Sequence, residues 1–165
     1  MSQHHPGPDG TRGQALVEFA LILPVLLLLI FGTIDAGRLV FTYNTVSNAA
    51  RDGARVAIVN QSTTGTNTCD TTVATAYPVG CAIQAGLALN LADTDITVTY
   101  RDPTDTTACT PIAMGCLAVV QVTGHWQALT PIVGSVIGPV DVSNVTKIPV
   151  ERVCSNPPPS PLTSC

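Results

Sequence analysis

Few residues in this chain can do chemistry, and their spacing decides which chemistry is open to them. The six cysteines are Cys69, Cys81, Cys109, Cys116, Cys154 and Cys165, and no two are closer than seven positions. Zinc sites bring thiolates together in tight pairs about two to four residues apart, so this pattern reads as disulfides formed in an oxidising compartment, not as a metal centre. Neighbour pairing, Cys69 with Cys81, Cys109 with Cys116 and Cys154 with Cys165, is the simplest of the connectivities that six cysteines allow. His4 and His5 lie near the start of the chain, and His125 stands alone beside Trp126. No Cys-His pair, Ser-His-Asp set or pair of carboxylates recurs at a spacing that would build a nucleophile or a general acid and base. The glycines match no phosphate-cradling loop. The expectation is a protein that is not an enzyme and uses no metal and no cofactor, with His125 and Trp126 serving as strand-end packing or a rim contact.

The remaining chemically suggestive residue is Glu18, the one charge in an otherwise apolar run over residues 15–34. As a helix, such a run spans about 30 Å, the hydrocarbon thickness of a bilayer, which predicts a single membrane crossing. Pro24 within it is tolerable, because membrane helices accommodate proline better than soluble ones do. A carboxylate at that depth is costly and tends to persist where it meets a partner charge or a functional need; the plainer reading is a side chain that snorkels to the interface. A cleaved secretory signal is disfavoured, since the run exits through FGTIDAGR, with Asp35 and Arg38 where small neutral residues would be required.

These residues need elements to position them. The 165 residues suffice for an anchor and one modest head. Charged residues make up 11% of the chain, against about 25% in ordinary soluble proteins, and mean hydropathy is +0.36. The net charge of −4 comes without a Lys/Arg run, which argues against a nucleic-acid partner.

Past the membrane run, Leu39, Tyr43, Val46, Ala50, Gly53 and Ala57 recur at helical spacing, with Asn44, Asn48, Arg51 and Arg55 on the far face. One helix is therefore expected from Gln14 to about Asn60, roughly 70 Å long. A loop over residues 61–72 ends it. A shorter helix over 81–91, with Ile83, Leu87 and Leu91 inward, is expected to cover a sheet. Three alternating runs predict its strands: Ile96, Val98 and Tyr100; Ala118, Val120 and Val122; then Val140 and Val142 through Thr146, Ile148 and Val150. Residues 101–115 read as a long hairpin connection stapled by Cys109 and Cys116. The end, SNPPPSPLTSC, reads as an extended tail. The fold class is α+β, a long N-terminal helix packed on a small antiparallel sheet.

The stretch RGQALVEFALILPVLLLLIFGTIDAGRLVFTYNTVSNAARDGARVAIV, residues 12–59, closely resembles the TadE-like segment of tight-adherence pilus systems. The family pattern has Arg-Gly, Gln-Ala-x-x-Glu-Phe-Ala, a proline-bearing apolar run, an acidic residue near Gly-Arg, and Asn-Ala-Ala-Arg-x-Gly-Ala-Arg. Asp35 fills the acidic slot. Residues 119–151 are similar to the family's ending more weakly, through a strand, a Thr-Pro turn, a short apolar Gly-rich segment and a final strand.

That resemblance implies a pilin-like minor pseudopilin or assembly subunit of a Flp-type pilus, with other pilin and pseudopilin subunits and the assembly machinery as partners. It implies a cytoplasmic leader, residues 1–13, cut by prepilin peptidase between Gly13 and Gln14. Glu18 and Phe19 then become the fifth and sixth residues of the mature chain, and Glu18 is placed to pair with the freed α-amino group of a neighbouring subunit. Residues 14–60 form the transmembrane helix and spine, 61–153 an extracytoplasmic head, and 154–165 the Pro-rich tail. Charge alone leaves orientation nearly even; the cysteines and the resemblance favour a cytoplasmic N-terminus in the bacterial cytoplasmic membrane. Two alternatives are an uncleaved bitopic envelope scaffold and an unrelated membrane-anchored binding module. The leader MSQHHPGPDGTRG lacks a strong basic cluster, and the six cysteines exceed what the family pattern requires.

Overall fold

A computed structural model describes residues 9–61, 69 and 77–153. The leader up to residue 8, most of the loop over 61–72, the tail, and Cys154 and Cys165 lie outside the described residues.

Helix α1 runs unbroken from Asp9 to Ala57, through Pro24. It has two halves because its residues change character. Residues 15–34 are almost wholly exposed, and among the described residues this is the one helix long and apolar enough to cross a membrane. From Asp35 onward one stripe is buried: Asp35, Thr42, Val46, Ala49, Ala50, Gly53, Ala54 and Ala57. Asn44, Asn48, Arg51 and Arg55 face solvent. The stripe passes through Thr42 where Tyr43 was expected; Tyr43 is 53% exposed. A small residue there suits the close approach of helix to sheet, and the Thr42 hydroxyl donates to the Arg38 carbonyl at 3.0 Å.

Strands β1 (Ile96–Arg101), β2 (Leu117–Trp126) and β3 (Val140–Pro149) form an antiparallel sheet in the order β1-β2-β3. Val120 pairs with Val98 on one side and Thr146 on the other. Period-two alternation sends Ala118, Val120, Val122 and Trp126 inward and turns Gln121 and His125 to solvent. Val46, Val120 and Val122 are fully buried, a burial that contributes about 1.5–3 kcal/mol for each such side chain.

Helix α2 (Tyr77–Ala85) packs mainly on α1 and only marginally on β1, so it lies beside α1 instead of capping the sheet. It also starts earlier and ends sooner than the apolar spacing suggested. The Gly86 amide is shared between the Ala82 and Ile83 carbonyls, a short turn over Leu87–Leu89 follows, and Asn90 closes it in the left-handed region at φ 51°. Leu87 is consequently 64% exposed, while Ile83 and Leu91 are buried.

Two glycines are dictated by contact. A Cβ on Gly53 would meet Ala82 Cβ at 3.0 Å and both the Pro78 carbonyl and Val120 Cγ1 at 3.2 Å, and one on Gly124 would meet Val46 Cγ2 at 2.7 Å. The absent side chains let α1, α2 and β2 converge. A third helix, α3 (Pro131–Ile137), links β2 to β3; the sequence suggested a short apolar Gly-rich segment there, and Pro131 at its start supplies the helical φ.

Candidate functional site

The implied processing and docking residues all lie on the free half of α1. Gly13 and Gln14 are exposed helical residues, and nothing stands within 4 Å of a Cβ built at Gly13. One turn on, the Gln14 side-chain amide donates to the Glu18 carboxylate at 3.3 Å. Among the described residues Glu18 forms no ion pair. Phe19 beside it is 61% exposed. The helix thus presents a carboxylate and an aromatic ring on a surface that the head does not cover.

Where α1 leaves its apolar half, a second cluster forms that joins helix to head. Asp35 is buried, 2% exposed. Its Oδ1 accepts the Leu129 amide at 2.9 Å, and its Oδ2 accepts the Thr130 amide at 3.1 Å and the Thr130 hydroxyl at 2.5 Å. Arg38, a turn away on the same helix, approaches the carboxylate at 3.6 Å and donates to the Gln127 carbonyl at 3.4 Å. Burying a carboxylate is costly unless donors surround it, and here the donors all come from the segment leading into α3. The acidic slot of the N-terminal motif is therefore a structural lock on the loop after β2. The sequence marks Thr130 as the start of a Thr-Pro turn but gives no sign that it or Leu129 meets Asp35; the signal available was that same Thr-Pro step, which marks a helix start needing an acceptor for its first amides.

The opposite end of the outer half is tied as well. The Ile58 carbonyl accepts the Glu151 and Arg152 amides at 3.1 Å, and the Gln61 side-chain amide donates to both the Ala57 and Arg152 carbonyls at 2.9 Å. Between these ends Asn144 donates to the Ser47 hydroxyl at 3.2 Å. Burial pushes the Tyr100 hydroxyl up to about 12, which keeps it neutral under the core.

Cys69 lies at disulfide distance from Cys81, with their Cα atoms 4.8 Å apart, and Cys109 from Cys116, with theirs 6.2 Å apart. The first pair ties the loop after α1 to α2. The second closes the β1–β2 connection, where the Asp102 carboxylate also gathers the Thr104 and Thr106 hydroxyls and the Thr106 and Thr107 amides. The Thr104 hydroxyl above all, helped by these other donors, holds Asp102 well below the usual carboxylate range.

His125 faces solvent on the outer side of the sheet, with Nδ1 2.7 Å from Asp141 and Nε2 3.2 Å from Asp95. Hydrogen bonding to Asp141 first, then to Asp95, raises its pKa. Both ring nitrogens meet carboxylates, so the histidine works as a clip between the start of β1 and β3. Trp126 is buried, and among the described residues its indole N–H finds no acceptor. Among the described residues no group of three or more His, Cys, Asp or Glu side chains is gathered to hold a metal ion.

Residues 13–55 match the model of the family described as TadE-like protein. The matched segment covers α1 from the Gly13–Gln14 step through the small-residue stripe, including Glu18, Asp35 and Gly53. No curated protein and no solved structure matches the chain.

Proposed function

We propose that this chain is a minor pseudopilin, a non-catalytic assembly subunit that helps initiate or anchor a Flp-type, tight-adherence pilus. The observation that carries this reading is the match of residues 13–55 to the TadE-like family, because it runs along both halves of α1 and includes the implied processing and docking residues Gly13, Gln14, Glu18 and Phe19. In this reading residues 1–13 are a cytoplasmic leader, prepilin peptidase cuts between Gly13 and Gln14, residues 15–34 cross the bacterial cytoplasmic membrane, and the head lies outside, where disulfides persist. Other pilin and pseudopilin subunits and the assembly machinery are its partners.

Glu18 gives the proposal a mechanism. A carboxylate facing the low-dielectric interior attracts an opposite charge strongly and is poorly tolerated alone. Cleavage would create an α-amino group on Gln14, four residues from Glu18, and in a neighbouring copy or pilin that amine supplies the missing cation. The exposed position of Glu18, whose side chain among the described residues meets only the Gln14 amide at 3.3 Å, supports such a role.

The test is the intact mass and N-terminal sequence of the protein from native membranes, with and without the host's prepilin peptidase. A terminus at Gln14 that depends on the peptidase is expected. Retention of Met1 in both strains would replace the pseudopilin with an uncleaved bitopic scaffold.

A further inference from the structure

The end of the head nearest the apolar half of α1 carries a hydrophobic surface that the fold leaves uncovered. Leu129, Val136 and Ile137 are 66%, 81% and 57% exposed. They precede or belong to α3, whose sequence PIVGSVI contains no charged residue. Two contacts fix the level of this surface along α1. Asp35, the first residue after the apolar run, holds the Leu129 and Thr130 amides. Phe31, one turn inside the run, lines a cavity of about 130 Å³ with Leu129, Thr130 and Pro131. Since one turn is about 5.4 Å, the start of α3 straddles the level at which the apolar helix gives way to polar residues.

We propose that α3 and Leu129 seat the head on the lipid bilayer, with Leu129, Val136 and Ile137 at the boundary between headgroups and acyl chains of the leaflet on the head's side. Continuity singles out lipid as the occupant: Phe31 is itself 43% exposed on the membrane-spanning half of α1, and the apolar surface passes from it through Leu129 and Pro131 onto α3 without crossing a charged side chain. Arg38 lies a turn farther out with its side chain half-exposed, placing a cation at headgroup level. An exposed apolar surface at this depth is stabilised by leaving water for the boundary between headgroups and acyl chains, and here it is docked to its own transmembrane neighbour by Asp35. The head is then held at a fixed tilt on the membrane and does not swing freely on a stalk.

This inference rests on the membrane-anchor part of the reading above, and its test separates the two. The full chain is reconstituted into phosphatidylcholine–phosphatidylglycerol vesicles containing lipids brominated at shallow or deep acyl positions, using Leu26→Trp, Val136→Trp and Val145→Trp. Trp126, the one native tryptophan, is subtracted as the wild-type signal. Position 26 lies mid-run, whereas Val145 is an exposed residue in the middle of β3, away from α3. The expected result is deep quenching at 26, shallow quenching with a blue-shifted emission at 136, and neither at 145. Quenching at 26 with position 136 indistinguishable from 145 overturns the seating of α3 and leaves the anchor standing. Loss of quenching at 26 overturns the anchor and the seating together.

Discussion

Asp35 and Thr130 stand 95 positions apart in the chain, yet the Thr130 hydroxyl donates to the Asp35 carboxylate at 2.5 Å, with both residues buried. This bond, with the two neighbouring amides, makes the junction between the membrane-facing and head-facing halves of α1 a fixed joint. Asp35→Asn keeps the shape but replaces one acceptor oxygen with a donor. Amide exchange at Leu129 and Thr130 should rise on the order of tenfold, because the one oxygen that remains is uncharged and cannot serve both amides and the Thr130 hydroxyl, while the amides of Val120 and Val122 keep their protection. Hydrogen exchange on the detergent-solubilised chain reads both sets at once, and unchanged exchange at Leu129 and Thr130 would remove the joint.

Close packing of α1 makes a second prediction. Gly53 faces Ala82, the Pro78 carbonyl and Val120 at distances that leave no room for a branched side chain. Gly53→Leu should destabilise the head by roughly 1–3 kcal/mol through overpacking, measured by chemical denaturation with the buried Trp126 as reporter. An equal stability for the variant would mean that α2 can move aside and that the small-residue stripe is not a packing requirement.

How much of this was legible beforehand follows from range. The strands could be read because Ile96, Val98, Tyr100, Ala118, Val120 and Val122 alternate locally, and α1 because its small residues recur at helical spacing over many turns. Thr42 displaced Tyr43 from the stripe because two neighbouring positions both fit the helical period, and only the proximity of the sheet decides between them. The regular part of α2 is shorter than its apolar spacing indicates, because Gly86 and Asn90 end it inside a run whose leucines keep helical spacing. Asp35 was visible as an acidic slot, but its partners come from the far end of the chain, and no local pattern encodes a contact between β2's exit and α1. Glu18 was conspicuous for the opposite reason: a charge among apolar residues needs no partner to be noticed.

The cysteine pairs predict unequal stabilisation. Cross-linking restricts the unfolded chain more as the closed loop lengthens. Cys69 and Cys81 are separated by 12 positions and Cys109 and Cys116 by 7. Replacing the first pair with alanines should lower stability by about 3 kcal/mol, and replacing the second by slightly less, about 2.5 kcal/mol. Denaturant midpoints of the two double variants, measured without reductant, provide the comparison; a larger loss from the shorter loop would point to a role for Cys109 and Cys116 beyond loop closure.

The clip at His125 predicts a pH dependence. Its folded pKa is raised, by Asp141 first and then Asp95, above an unfolded value of about 6.5. The charged histidine therefore stabilises the fold fully below about pH 6.5, and that contribution is lost as pH rises through the higher folded pKa. The head should show a modestly higher Tm near pH 6 than near pH 8, and His125→Gln should flatten that difference. Because the ring is exposed the effect is small, and a pH profile that the variant leaves intact would transfer the dependence to other groups.

Glu18 carries the most consequential prediction, since it separates docking from folding. Glu18→Gln preserves the side chain's size and its contact with Gln14 but removes the charge that a neighbouring α-amino group would meet. Among the described residues Glu18 touches no part of the head, so Tm and the Trp126 emission should match the wild-type protein. Cleavage at Gln14 should also proceed, because the substitution leaves the Gly13–Gln14 step intact. Pili on the surface should nonetheless fall by roughly tenfold or more, the scale expected when an opposite-charge pair in a low-dielectric setting is lost. Counting pili by electron microscopy beside the N-terminal sequence of the membrane-bound variant distinguishes the outcomes: normal piliation from a correctly cleaved Glu18→Gln chain would show that docking does not run through this carboxylate.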